Sequence, residues 1–187
     1  MNRKVFSLTL DLERGFVGPV VAAVLHTILF YRHFGNVSPR KHQALNTVLV
    51  DCPDVLAAVD ARVDELVQGL APAADSRAQI SLSFTETKPR RAWFSKSEEE
   101  ICWEEWIIAV QSRAARADHD PPRQLAAAED QARRAMLRVI REMDRSKDHI
   151  PLIASATGSP FPFHIAVAPI SGLWSSMIKR AIRPGAS

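Results

Sequence analysis

Apolar and polar residues alternate at the start of the chain. The apolar side of this alternation is Phe6, Leu8, Leu10 and Leu12, and the polar side is Ser7, Thr9 and Asp11. A period of two is typical of a strand with one buried face. We therefore predict a first strand here, and we expect Gly15 and Gly18 to interrupt it.

Three longer apolar patterns predict helices. The first covers residues 20–33 behind Pro19, and it is apolar around most of its circumference, as in a central core helix. The second opens at Pro53 and runs to about residue 68. The third is capped by Asp120 and reaches about residue 144, with apolar residues on one side.

Shorter alternating segments predict the remaining strands. They lie at residues 47–50, 80–84, 101–111 and 163–167, and residues 36–46 form a polar connection before the first of them. The strands at 80–84 and 101–111 are joined by roughly a dozen mostly polar residues, so we expect a hairpin with a long tip over 87–100. A terminal helix is predicted over 173–182. This element order favours an α+β fold with the helices on one face of a sheet.

Composition limits the class of protein. The chain has 187 residues, of which 47% are hydrophobic and 24% charged, the balance of one globular domain spanning 1–187. The apolar run at 16–30 is shorter than the ~20 residues of a membrane span, and Cys52 and Cys102 lack a paired metal spacing. We expect a soluble, intracellular protein. The net charge of +3 permits an acidic partner without requiring one.

Catalytic and metal-binding patterns are not apparent in the sequence. No glycine-rich phosphate loop or zinc spacing occurs, and Thr157-Gly158-Ser159 lacks the second flanking glycine of a nucleophile elbow. Asp118-His119-Asp120 is better explained as a helix cap than as a metal site. His26, inside the apolar helix, is better explained as a buried, hydrogen-bonded histidine than as a base. We predict a protein without catalytic activity, metal or cofactor.

Two adjacent aromatic residues, Trp93 and Phe94, stand in the predicted hairpin tip. Arg90, Arg91 and Lys96 flank them. If the flanks are solvated, exposing each ring forfeits about 1.5–3 kcal/mol of burial free energy, which a docking partner would recover. The alternative is that the loop folds back and buries both rings under the sheet.

The third helix presents arginines on its outward face. A solvated surface is the usual interpretation of such a charge run, and an acidic partner surface is the alternative. A basic nucleic-acid- or lipid-binding module is a rival function, although no aromatic residues are interleaved with the arginines as a stacking platform. The basic amphipathic terminal helix either docks on the sheet or makes a peripheral membrane contact.

Several segments together resemble the autophagy-related protein 101 family. They are Ala23-Val24-Leu25-His26-Thr27-Ile28-Leu29, Ile80-Ser81-Leu82-Ser83-Phe84, the basic loop with Trp93-Phe94, and Cys102-Trp103-Glu104-Glu105-Trp106. The resemblance implies a HORMA domain: an antiparallel sheet with three main helices on one face and a mobile C-terminal segment and helix over 150–187. The aromatics of animal members are separated by a proline, and their connection at 36–46 is longer, which suggests a fungal-type member here.

The resemblance also implies a function. Members are non-catalytic subunits of the autophagy-initiating kinase complex that pair with and stabilise the HORMA domain of autophagy-related protein 13. Trp93 and Phe94 match the finger that recruits downstream factors at the cytoplasmic site of autophagosome formation, the preautophagosomal structure. For the HORMA partner we expect an interface on the third helix and the adjoining sheet edge, formed by Arg133, Arg134, Leu137, Arg138 and Arg141.

Overall fold

The computed structural model describes residues 3–33, 39–42, 47–71, 74–92, 95–114, 120–153 and 161–169. Its three helices are α1 (Arg14–Arg32), α2 (Pro53–Gln68) and α3 (Pro121–Arg145). Its six strands are β1 (Lys4–Glu13), β2 (Pro39–His42), β3 (Thr47–Val50), β4 (Ser76–Ala92), β5 (Ser95–Arg113) and β6 (Phe163–Pro169).

Four strands form the main sheet in the order β1-β5-β4-β6. β4 pairs antiparallel with β5 and with β6, as expected for an antiparallel sheet, whereas β1 pairs parallel with β5. The α+β class is therefore confirmed, but the sheet is mixed rather than purely antiparallel. The parallel pair arises because α1, α2 and β4 all intervene between β1 and β5, so the chain can return in the same direction.

The core lies between the helices and one face of this sheet. Alternate residues of β1, β4 and β5 are buried against the helix layer: Phe6, Leu8, Leu10, Leu12, Ala78, Ile80, Leu82, Phe84, Trp106, Ile108 and Val110. α1 lies in the middle of the layer and contacts both other helices. α3 lies over β1, and α2 lies over β4 and β6. The helices thus cover one face of the sheet, as the element order predicted.

α1 begins earlier than its glycines suggested. It starts at Arg14, so Gly15, Gly18 and Pro19 all lie inside it. A Cβ on Gly18 would stand 3.5 Å from a methyl of Val67, an ordinary van der Waals distance, so this part of α1 packs directly on α2. Tertiary packing here outweighs the weak helix propensity of glycine.

By length and composition α1 could span a membrane. Eleven of its nineteen residues are buried within the fold, which is the environment of a core helix.

The predictions of α2 and α3 are confirmed. α2 has the predicted bounds, and α3 begins at Pro121 after Asp120, whose carboxylate accepts a hydrogen bond from the backbone N–H of Arg123 at 3.3 Å. The prediction of a polar connection over 36–46 was wrong for Pro39–His42. These residues form β2, which pairs antiparallel with β3 in a separate two-stranded sheet. A four-residue strand is too short for its alternation to be recognised in the sequence.

Candidate binding surfaces

A two-stranded ribbon extends beyond the main sheet. β1 pairs with β5 only from Glu104 onward, and β6 pairs with β4 only up to Phe84. Beyond these positions β4 and β5 continue to pair with each other as far as Ala92 and Ser95. At ~3.3 Å per residue, the eight residues of β4 past Phe84 carry the ribbon about 26 Å from the sheet.

The predicted dozen-residue loop was therefore wrong, because most of 87–100 is paired strand. Trp93 follows Ala92, the last paired residue of β4, and Phe94 precedes Ser95, the first paired residue of β5. Both aromatic residues lie outside the described part of the chain. Thr87, Lys88, Glu99 and Glu100 are all exposed. Residues 85–100 are mostly polar and show no apolar alternation, and for that reason the sequence pattern suggested a loop.

A β-bulge marks the root of this ribbon. Phe84 pairs with Glu104 and Thr85 pairs with Cys102, so Trp103 is the extra residue on β5. The bulge turns the consecutive residues Trp103 and Glu104 both inward, which a regular strand cannot do. Trp103 packs on Phe161 at a centroid distance of 4.9 Å.

The Glu104 carboxylate is the centre of a buried polar cluster. Arg32, at the end of α1, donates from Nε to both carboxylate oxygens, at 3.1 and 3.0 Å. Trp106 Nε1 donates to Oε1 at 2.7 Å, and His149 Nε2 lies 2.6 Å from Oε2. Arg32 also donates to the carbonyl of Ser146 at 3.3 Å. One carboxylate thereby joins α1, β5 and the segment that follows α3.

Stacked rings surround this cluster. Phe6 of β1 stacks on Trp106 at 4.3 Å, and the His149 ring lies 5.7 Å from the Trp103 ring. The ribbon root and the residues after α3 are therefore fixed to the same part of the core.

The outward face of α3 is the second candidate surface. Arg133, Arg134, Arg138 and Arg141 are exposed, and Leu137 is 39% exposed between them. Asp130 forms ion pairs with both Arg133 and Arg134. No ion pair joins Arg138 or Arg141 to another residue in the described ranges. The structure thus places the five predicted interface residues on one accessible stretch of helix.

His26, the histidine weighed as a possible base, lies in the core of the fold. His26 is 1% exposed, and its Nδ1 accepts a hydrogen bond from the backbone N–H of Val50 at 3.3 Å, as predicted. Burial raises the pKa of the Cys102 thiol, which disfavours the reactive thiolate. Burial lowers the pKa of His33. Within the described residues, no three His, Cys, Asp or Glu side chains are grouped to hold a metal ion.

Some predictions fall outside the described residues. They include the terminal helix at 173–182 with its membrane or sheet contact, Asp118 and His119 of the Asp118-His119-Asp120 cluster, and Thr157-Gly158-Ser159. The buried carboxylate of Glu104 was not predicted from the sequence. A signal was present in the run Trp103-Glu104-Glu105-Trp106, where only a bulge can turn two adjacent residues toward the core.

The structure defines a class of protein: an α+β module with an extended two-stranded ribbon and a basic helix face. A family model described as Autophagy-related protein 101 matches residues 9–157. The chain belongs to the autophagy-related protein 101 family, whose members are autophagy accessory proteins rather than a known family of enzymes.

Two curated relatives with that description are similar over nearly their whole length. The Arabidopsis thaliana protein is 26% identical over 212 residues, covering 99% of this chain and 97% of the relative. The Schizosaccharomyces pombe protein is 25% identical over 183 residues, covering 94% of each. A plant and a yeast protein are thus about equally similar, and the fungal-type assignment stays a prediction.

Proposed function

We propose that this protein is a non-catalytic adaptor of autophagy initiation with two separate binding surfaces. One surface, on α3, pairs with the HORMA domain of autophagy-related protein 13 within the autophagy-initiating kinase complex and stabilises it. The other, Trp93 and Phe94, recruits downstream factors at the cytoplasmic preautophagosomal structure. The family supports the autophagy role, and the α+β architecture is consistent with a HORMA-like domain.

The observation that carries the proposal is the ribbon. Its last paired residues, Ala92 and Ser95, immediately flank Trp93 and Phe94. β4 and β5 bring this point far from the core, where neither β1 nor β6 accompanies them. Aromatic side chains provide much of the binding energy when they enter a partner pocket. A long ribbon with an aromatic pair at its turn is suited to that role.

We expect the double variant Trp93→Ala/Phe94→Ala to fold and to pair with its HORMA partner while losing recruitment of downstream factors. Two aromatic hot-spot residues contribute at least ~2 kcal/mol each when truncated, so recruitment should fall by more than about a hundredfold. Co-purification of the intact kinase complex and localisation of a later autophagy factor measure the two properties. Thermal unfolding of the variant provides the control for folding.

Loss of HORMA pairing in a folded Trp93→Ala/Phe94→Ala variant would contradict the separation of the two surfaces. Unchanged recruitment would contradict the role of the ribbon. Exposed Thr87 provides a matched variant on the same ribbon, since Thr87→Ala changes a side chain remote from the turn. That variant is expected to behave as the natural protein in both measurements.

The pairing surface has its own test. Leu137→Asp is expected to weaken binding of the HORMA partner at least about tenfold, because it places a charge in the middle of the proposed interface. Leu125 lies on the same helix with the same 39% exposure but outside this interface, so Leu125→Asp is the matched control. Calorimetric titration with the purified partner domain measures both. Equal losses from the two substitutions would place the interface elsewhere.

A further inference from the structure

The outer edge of β1 is a long strand edge. β1 pairs through ten consecutive residues with β5 on one side, in a register without a bulge. On its other side, no residue within the described ranges pairs with it. β1 contains no proline, and bulges and prolines are the usual devices that prevent edge pairing. The backbone therefore offers a template for an added strand.

Arg134 of α3 lies beside the end of this free edge. A groove of about 670 Å³ brings Arg134 together with Asp11, Leu12 and Glu13 at the end of β1. Arg138, Arg141 and Arg145 follow Arg134 at intervals of three and four residues, so they share its side of the helix. α1 packs against α3 as well, but from the centre of the helix layer, which leaves this side of α3 facing the sheet edge.

α3 and β1 run in opposite directions, so the arginines follow the length of the edge. The first half of α3 lies by the end of β1 at Asp11, whereas His149, just after α3, lies 6.2 Å from Phe6 near its start. Helical residues three or four apart are separated by about 4.5–6 Å along the axis, close to the ~6.7 Å between alternate residues of a strand. Successive arginines can therefore meet alternate side chains of an added strand.

Within the described residues, three of the four arginines have no acidic partner, whereas Arg134 pairs with Asp130. In the described part of the chain, Arg138, Arg141 and Arg145 form no ion pair, and all three are exposed. Lys4 adds a further exposed positive charge at the start of the edge. On the opposite face of the sheet, Val5, Ser7 and Thr9 of β1 are uncharged, and the Asp11 carboxylate pairs with Arg113 at 2.7 Å. A complementary strand would then carry acidic residues toward α3 and uncharged residues toward the open face.

We propose that the edge of β1 binds an extended acidic segment of a partner protein, which adds to the sheet as a fifth strand and places alternate Asp or Glu residues against Arg134, Arg138, Arg141 and Arg145. The inference deepens and rests on the pairing proposed above, since three of these arginines belong to that interface. It specifies the chemistry of the partner: an extended segment with a period-two acidic pattern, recognised by backbone hydrogen bonds and arginines together.

The probe is a synthetic peptide of about eight residues that alternates glutamate with valine or threonine, titrated into the full-length protein. A peptide of the same composition with its glutamates clustered is the ligand control. We expect the alternating peptide to bind at least about tenfold more tightly than the clustered one, because only alternation presents every carboxylate to α3. Equal affinity of the two peptides would show that net charge alone drives binding, and it would overturn the proposal.

Two further arms identify the binding mode. Arg138→Glu is expected to weaken peptide binding about tenfold or more, whereas Arg62→Glu, the same charge change at a half-exposed position on α2, away from α3 and β1, is expected to have a small effect. Two further peptides are methylated on the backbone nitrogens of either the odd or the even residues. One of them should lose binding and the other should keep it, because an added strand donates hydrogen bonds to its neighbour from every second residue only. Equal binding of these two peptides would exclude strand addition.

The outcomes distinguish this inference from the proposed pairing. Failure of the peptide to bind, with HORMA pairing still dependent on Leu137, overturns the acidic strand and leaves the pairing intact. If Leu137→Asp leaves HORMA pairing unchanged while the alternating peptide still binds through Arg138, the pairing surface is wrong and the acidic-strand site is supported. Anionic vesicles or single-stranded RNA that bind through Arg138 more tightly than the peptide would assign the surface to a membrane or to nucleic acid, and would also overturn the inference.

Discussion

Replacement of Glu104 by alanine is expected to destabilise the protein by about 3–5 kcal/mol, because it leaves the buried Arg32 guanidinium without its counter-charge. The carboxylate is fully buried and Arg32 is 3% exposed, so water cannot compensate for either group. The substitution also removes the acceptor for Trp106 Nε1 and the partner of His149. Chemical denaturation followed by tryptophan fluorescence measures the loss.

The neighbouring residue provides the control. Glu105 pairs with Arg3 at 3.2 Å, but Arg3 is half exposed, so Glu105→Ala is expected to cost about 0–1 kcal/mol. A Glu104→Ala variant within about 1 kcal/mol of the natural protein would show that the buried cluster contributes little. A double-mutant cycle with Arg32→Ala would then give the coupling between the two side chains directly.

The second large effect is expected at the bulge. Trp103→Ala should destabilise the protein by about 3–5 kcal/mol, because it removes the ring that fills the space between Phe84, His149 and Phe161. Within the described residues Trp103 Nε1 has no hydrogen-bond partner, so its contribution comes from packing. Trp103→Phe is therefore expected to restore more than about half of the loss. Thermal and denaturant unfolding both report these differences.

An exposed aromatic residue gives the comparison for Trp103. Phe30 on α1 is 45% exposed, so Phe30→Ala is expected to cost much less than Trp103→Ala. If Trp103→Phe were as damaging as Trp103→Ala, the indole nitrogen rather than the ring would be the stabilising group. That result would indicate a hydrogen bond to a residue outside the described ranges.

Glu104 and Trp103 both connect the base of the ribbon to the segment after α3. Trp103 and Glu104 lie where the ribbon leaves the sheet, and they contact His149 in the segment after α3. Loss of either side chain would loosen the base of the ribbon and the end of α3 together. Variants of these two residues are therefore expected to affect both proposed surfaces, whereas variants at Trp93 and Phe94 affect one.

The sequence by itself determined the elements whose pattern reflects burial. β1 and β6 could be recognised because one face of each packs on the core, and α2 and α3 because proline begins each helix and apolar residues recur on one side. The family was also recognisable from the sequence, because Trp93-Phe94 and the tryptophan-rich stretch of β5 differ from an ordinary core pattern.

Only the tertiary structure decided the features that depend on distant neighbours. The parallel pairing of β1 with β5 and the early start of α1 at Arg14 follow from packing partners far along the chain, such as Val67 against Gly18. The ribbon was not predicted because residues 85–100 show no apolar alternation, and only the pairing of β4 with β5 reveals it. The inward turn of Glu104 required a bulge, and its buried charge is tolerated only because Arg32, from another element, supplies the opposite charge.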